Sequence, residues 1–203
     1  MRKIILASAS PRRKEILKIT GLDFSVSAGD YEEDLNLPLN PRELARFLSR
    51  KKAEAVTHRH MDALIIAADT FIVFQGRLLG KPRSSREAKK MLQMLNGKVH
   101  SVITGFTIMD SLSRKTLSRS VETKVYFKKL TGKEIAEYVR SGEPMDKAGA
   151  YAVQGLGAVF IKKIDGDFFN VMGLPLHALA ESLKKFGVNV LKRRSEEARK
   201  RGS

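Results

Sequence analysis

Residues Ala63 to Ala68 read ALIIAA, six in a row without a polar side chain, and the run stops at Asp69. A stretch that short and apolar on both faces suits a central β-strand rather than a surface helix, with the carboxylate at its end. Lys3 to Ala7 is a second apolar run of strand length, and it leads into a helix signal: Ser10 as N-cap, Pro11 at the first helical position, Ile16, Leu17 and Ile19 as the apolar side, and Gly21 as the stop. Phe24 to Ser27 reads as another strand, and Asp30 to Asn40 as an acidic, turn-rich loop. Pro41 opens a helix through about His58, with Leu44, Phe47 and Leu48 on its inner face. Phe71–Phe74 and Leu78-Leu79 flank Gln75-Gly76-Arg77, a hairpin pattern. Ser84 or Ser85 caps a helix ending near Gly97, Val99–Met109 and Leu117–Phe127 read as two long strands, and Thr131 begins a helix to Gly142. A loop from Glu143 to Gly155, a strand from Ala158 to Ile164 and a helix from Pro175 to Phe186 complete the pattern. Strands alternate with helices without strict βαβ regularity, which predicts an α/β protein with a mixed sheet.

The 203 residues suit one domain or two small lobes, and a hydrophobic content of 42% is enough to fill a core. No apolar run approaches the ~18 residues a membrane span needs. The stretch Met1–Leu6, closed by Ser8-Ala9-Ser10-Pro11, reads as a strand rather than a secretory segment. With no cysteine there are no disulfides, thiolate zinc sites or cysteine nucleophiles, and the expected location is the cytoplasm. The net charge of +16 asks for anionic partners. The segment 192–203 contributes +4 of it and carries no apolar periodicity, so it reads as a solvated basic tail; +12 stays with the body, residues 1–191.

Arg12 and Arg13 fall at the second and third positions of the first helix, where the macrodipole disfavours a cation by about 0.3–1 kcal/mol each. Two arginines there, beside the hydroxyls of Ser8 and Ser10 and the open N–H groups of a helix start, make sense if an anion binds; otherwise they are exposed arginines in water. Asp69 is a site residue or a cap, and strand ends are where α/β sheets collect ligands. Glu32 and Glu33 alone read as solvated surface, but a carboxylate paired with Asp69 could hold Mg²⁺, which prefers carboxylate and phosphate oxygens. Lys81 in Gly80-Lys81-Pro82 sits on a tight turn that can aim an ammonium. Small residues from Asp146 to Gly155 let backbone approach a ligand, and Gln154 carries both a donor and an acceptor. His100 reads as structural, and His58, His60 and His177 show no metal spacing. There is no P-loop, dinucleotide fingerprint or Ser-His-Asp arrangement.

Taken together, these segments resemble the Maf family of nucleotide pyrophosphatases, also called septum formation inhibitors. The resemblance is carried by SASPRR (Ser8–Arg13), the Glu33 loop, the lysine of RKKA (Lys52), ADT (Ala68–Thr70), GKP (Gly80–Pro82), the HSVITG stretch from His100, DKAGAYAVQG (Asp146–Gly155) and VMGLP (Val171–Pro175), in family order. Ala68 and Ala152 stand where glycine is usual, and neither position supplies a polar group. The resemblance implies one domain over 1–191, built as an elongated mixed sheet whose helices form two lobes around a deep cleft, as in the inosine triphosphate pyrophosphatases. It also implies a homodimer. In the branch acting on dTTP and UTP, the positions of Arg12, Thr70 and Gln154 hold Arg, Thr and Gln. In the branch associated with 7-methylguanosine triphosphate they hold Trp, Gln and Glu. This chain matches the first set at all three.

The implied reaction is in-line attack of water on the α-phosphate of a nucleoside triphosphate, with pyrophosphate leaving. Asp69 is implied as general base or as ligand of the activating metal (Mg or Mn), with Glu33 as a second ligand. Ser8, Arg12, Arg13, Lys52 and Lys81 are implied on the phosphates, and Thr70 and Gln154 on the base. Pyrimidine nucleotides, normal or modified, are the expected substrates. The rival readings are a nucleic-acid-binding module, suggested by charge but lacking a recognition motif or a stacking series, and a cell-division regulator acting through partners. No membrane partner is expected.

Overall fold

A computed structural model describes residues 2–32, 34–35 and 37–192. In chain order the elements are β1 (Lys3–Leu6), α1 (Pro11–Ile19), β2 (Ser25–Val26), α2 (Pro41–Thr57), β3 (Ala63–Phe74), β4 (Arg77–Leu79), α3 (Ser85–Leu95), β5 (Val99–Asp110), β6 (Thr116–Phe127), α4 (Gly132–Arg140), β7 (Ile161–Asp165), α5 (Phe168–Met172) and α6 (Leu176–Leu183). Single 3-10 turns lie at Glu143–Asp146, Ala148–Ala150, Leu156–Phe160 and Lys184–Phe186. The hydrogen-bonded strand order is β2-β1-β3-β5-β6-β7, with β4 paired to β3. β1 runs parallel to β2 and β3, while β3–β4 and β6–β7 are antiparallel. This is the mixed-sheet α/β class that the element pattern predicts. Among the described residues no helix is long and apolar enough to cross a membrane.

Four details depart from the sequence reading. β3 does not stop at Asp69 but continues to Phe74, because Phe71, Ile72 and Phe74 remain buried and β4 pairs with 72–74 through a turn whose Gln75 and Gly76 both have positive φ. One acidic residue does not end a strand whose flanks stay apolar. Ile19 lies outside the core, half-exposed at the end of α1. Residues 156–160 turn as a 3-10 helix, so β7 begins only at Ile161. The short α5, absent from the sequence reading, starts where the Asp167 carboxylate accepts the Asn170 N–H at 3.1 Å.

The described residues pack as two compact units, those within 2–69, 104–121 and 173–192 in one, and 70–103 and 122–172 in the other; β3, β5 and β6 run through both. Apart from Lys192, the basic segment expected to be a tail lies outside the described residues.

In the first unit, α2 packs Ala53 and Val56 against Ile5, Ala7, Ala63, Ile65, Ala67 and Met109 of the sheet. The helix starts cleanly: the Asn40 side chain accepts from Glu43 N–H, and Glu43 reaches back to Asn40 N–H, a reciprocal cap of the kind whose N-cap residue is worth about 1 kcal/mol. Its approach to β5 is set by Gly105, where a Cβ would lie 2.1 Å from the Ala45 carbonyl. Buried hydroxyls in this layer satisfy one another, Ser49 with Thr107 and Thr107 with Ser118, each at 2.8 Å.

The second unit has its own core of α3, α4 and the strand segments around Ile72, Phe74, Val102, Val125 and Phe127. His100 lies inside it at 3% exposure, its Nε2 2.7 Å from the Tyr151 hydroxyl and its ring edge-on to Phe127 and Tyr151. Burial lowers the imidazole pKa from 6.5 to about 4. Below pH 6.5 the unfolded chain takes up a proton that the folded chain refuses until about pH 4. Stability from this group is therefore complete above 6.5 and falls with acid by up to about 1.4 kcal/mol per pH unit. Urea unfolding at pH 7, 6 and 5 should show that slope, and His100→Gln should flatten it whatever its absolute stability. An unchanged slope in the variant would show that some other group refuses the proton.

Candidate functional site

α2 places Lys52 four residues beyond the buried Leu48 and next to the buried Ala53, so its stem lies along the packed side of the helix while the ammonium reaches the strand. There it meets Asp69, and Lys52 Nζ pairs with Asp69 Oδ1. The side chains keep only 19% and 8% of their exposure. A carboxylate this enclosed is costly unless a charge meets it, and α2 supplies that charge. Lys52, expected on substrate phosphate alone, has Asp69 as a partner in the structure.

The turn after β1 is a second cationic group in the same unit. Ser10 caps α1, its hydroxyl accepting Arg13 N–H at 3.5 Å, and Ser10 N–H is donated to Ser8 Oγ at 3.2 Å. Arg13 is tied down, Nε donating to the Gly173 carbonyl at 2.9 Å and Nη1 to Ser8 Oγ at 3.4 Å. Its neighbour Arg12 is half-buried, and among the described residues it makes no hydrogen bond or ion pair. The first turn of α1 contains no acidic residue, so nothing there offsets the two guanidinium groups against the helix dipole. Ser8, Arg13, Lys52 and Asp69 thus have defined partners, and Arg12 is oriented only by its place on the helix.

The second unit holds Thr70, Lys81 and Gln154. Thr70 is partly exposed and follows Asp69 along β3; Lys81 and Gln154 are exposed. The loops that carry Lys81 and Gln154 are stitched together where Gly149 N–H donates to the Gly80 carbonyl at 2.9 Å. Gly149 takes φ +65°, and a Cβ there would meet Ile72 Cδ1 at 2.7 Å. Lys147 pairs with Asp146 at the start of this segment. Glu143, in sequence only the first residue of a loop, has a carboxylate that accepts the N–H groups of Leu156 and Gly157 at 2.9 and 3.0 Å and the Tyr138 hydroxyl at 2.8 Å. Its position after a glycine and before a proline was the one available signal.

Glu33, the second expected metal ligand, lies outside the described residues. Among those described, no three His, Asp or Glu side chains cluster closely enough to hold a metal. Asp69 alone is a buried carboxylate at the site. A single protein carboxylate completed by substrate phosphates and water fits Mg²⁺ or Mn²⁺, which need no all-protein cage.

A family model described as Maf-like protein matches residues 3–186. A dTTP/UTP pyrophosphatase of Methanosarcina barkeri is 52% identical over 94% of this chain and 97% of that protein. One from Pelotomaculum thermopropionicum is 49% identical over 94% of this chain and all of the relative. Among solved structures, the Staphylococcus aureus Ham1 protein aligns with a TM-score of 0.42 at 16% identity, covering 73% of this chain and 85% of that one.

The Lys52–Asp69 pair generates a stability test. Lys52→Met should leave a buried carboxylate uncompensated and lower unfolding stability by about 2–4 kcal/mol. Asp69→Asn should lower it less, since the Lys52 ammonium is the more exposed partner. Combining the two removes both charges and should recover much of the loss in a denaturant titration. Strict additivity of the two single effects would show that the pair is not energetically coupled.

Proposed function

The chain belongs to the Maf-like protein family, and from that premise we propose that it hydrolyses nucleoside triphosphates, dTTP and UTP foremost, to the nucleoside monophosphate and pyrophosphate. The observation that carries this reading is identity of about half across nearly the whole chain to relatives named dTTP/UTP pyrophosphatase. Arg12, Thr70 and Gln154 agree with it, being the set expected of the pyrimidine branch.

In this reaction an oxygen of water bonds to the α-phosphorus, and the bond from that phosphorus to the bridging α,β oxygen breaks. The electron pair leaves with pyrophosphate, and the water proton needs an acceptor. Asp69 is the carboxylate available to take that proton or to hold the ion that acidifies the water. Lys52 fixes the carboxylate through Oδ1, so its orientation is set before substrate arrives. Arg13, anchored to Gly173 and Ser8, presents a guanidinium of fixed position, and Arg12 meets the phosphates without first breaking a protein contact. Lys81 adds a cation from its turn for the leaving pyrophosphate. Asp69 and Glu33 are the residues that would hold Mg²⁺ or Mn²⁺, which when bound would neutralise phosphate charge and lower the pKa of water. Thymine and uracil present one N–H between two carbonyls, and the Gln154 amide pairs with such an edge in both senses. The reading includes a homodimer acting in the cytoplasm on free nucleotides, with no nucleic acid as partner.

A panel of nucleoside triphosphates, with pyrophosphate and orthophosphate detected separately, tests the reaction. Pyrophosphate release that stops in excess chelator is expected; orthophosphate with a diphosphate left behind would refute the reading. Asp69→Asn should reduce turnover by about 10²–10⁴-fold. Because that variant also disturbs Lys52, the double variant with Lys52→Met is the control: it should regain stability and stay inactive. Gln154→Glu places a carboxylate against carbonyl oxygens with no hydrogen to offer. It should lower kcat/KM for dTTP and UTP by about 10- to 100-fold, and for 7-methyl-GTP less. Equal losses for all three would mean that Gln154 does not read the base.

A further inference from the structure

Gln154 is exposed on a loop outside any strand or helix, so its side chain is only as well aimed as its backbone. The contacts that fix that backbone lie on either side of it. Upstream, Ala152 N–H donates to the Tyr138 hydroxyl at 3.3 Å. Downstream, Leu156 and Gly157 N–H groups donate to Glu143 Oε2 and Oε1. The Tyr138 hydroxyl in turn donates to Glu143 Oε1 at 2.8 Å, closing a single network around residues 152–157. A carboxylate that accepts two backbone N–H groups and a phenol makes charge-assisted bonds, stronger than neutral ones.

The glycines show that the loop is shaped to this carboxylate. Gly155, next to Gln154, adopts φ +121° and ψ −159°, a region open almost only to glycine. A Cβ there would sit 2.7 Å from Glu143 Oε2. At Gly157 a Cβ would sit 2.6 Å from the Tyr138 hydroxyl and 2.6 Å from the Ala152 carbonyl. Gln154 itself makes no hydrogen bond among the described residues.

We propose that Glu143, through Tyr138 and the backbone of residues 152–157, is a positioning residue for base recognition: it holds the loop so that the Gln154 amide faces the nucleobase. The proposal rests on the reading that Gln154 contacts the base. It separates Glu143 from the phosphate-handling residues, so loss of the clamp weakens base discrimination more than the chemical step.

The test compares Glu143→Gln, Tyr138→Phe and Gln154→Ala with the parent by steady-state kinetics on dTTP, UTP and 7-methyl-GTP, alongside amide hydrogen exchange of the 152–157 segment. Glu143→Gln turns an acceptor-only group into one that points N–H against N–H. It should raise KM for dTTP and UTP by about tenfold, lower kcat by less, and cut the preference over 7-methyl-GTP. Tyr138→Phe, which removes one hydroxyl and keeps the ring, should do the same more weakly, and both should speed exchange at Leu156 and Gly157. If Gln154→Ala alters the preference while both clamp variants keep the parental one, the clamp does not position the amide and the proposal falls. A uniform loss on all three nucleotides assigns Glu143 to stability alone and overturns it as well. If Gln154→Ala leaves the preference unchanged, base reading by Gln154 fails, and the proposal with it. Should Glu143→Gln fail to fold, Tyr138→Phe decides on the same criteria.

Discussion

A carboxylate at 6% exposure inside a strand has to be met by a charge, and in this chain that demand is answered from a helix. Asp69 sits on β3, which is apolar but for it and its neighbour Thr70, and Lys52 comes down on it from α2. For the ammonium to reach, the helix has to lie close to the sheet, and Gly105 on β5 is what permits the approach, since a methyl group there would overlap the Ala45 carbonyl. The hydroxyls of Ser49, Thr107 and Ser118 then fill the polar part of the same interface without leaving a donor stranded. The buried carboxylate, the cation that pairs with it and the packing of the helix are thus one arrangement. Desolvation makes either charge alone expensive, so the site and the stability of the first unit are coupled.

The second unit solves a different problem. Its long segment between α4 and β7 holds only short 3-10 turns, and its backbone polar groups need partners from outside any ladder. There Glu143 accepts two consecutive N–H groups, those of Leu156 and Gly157. Elsewhere in the unit side chains do the same work: Asn96 bridges both the N–H and the carbonyl of Leu130, and Asn170 donates to the Val102 carbonyl and to Thr123. The Glu143 carboxyl is pushed up by its burial, but the N–H donors, the Tyr138 hydroxyl and the Lys147 charge together hold it below its ordinary value. It therefore stays ionised at neutral pH, where the loop depends on it.

Local rules are broken at the residues proposed for the site. Two arginines in the first turn of α1 oppose the helix dipole, and no acid compensates them. A strand carries a buried aspartate, and glycines interrupt a loop at φ values no other residue adopts readily. Each departure loses a little stability, and the first two place charges at positions that the proposed function assigns to a triphosphate site. Net charge alone pointed as readily to nucleic acid as to a small anionic substrate.

What the sequence determined by itself were the features written in neighbouring residues. Ser10-Pro11, Pro41, the Ser84-Ser85 pair and Thr131 announced four helix starts because a proline or an N-cap hydroxyl acts on backbone within three residues; that Asn40 caps the second and Ser84 the third came from the structure. The apolar runs announced β1 and β3, and the ordered motifs announced the family. What only tertiary structure decided were relations between distant residues. That β3 runs through Asp69 depends on pairing with β4 and on burial beyond it; that Arg13 is anchored depends on a carbonyl 160 positions away. The Lys52–Asp69 pair and the Glu143 clamp were illegible for the same reason. A charge or an N–H group shows in the sequence, but its partner is chosen by packing, and packing is a property of the whole chain.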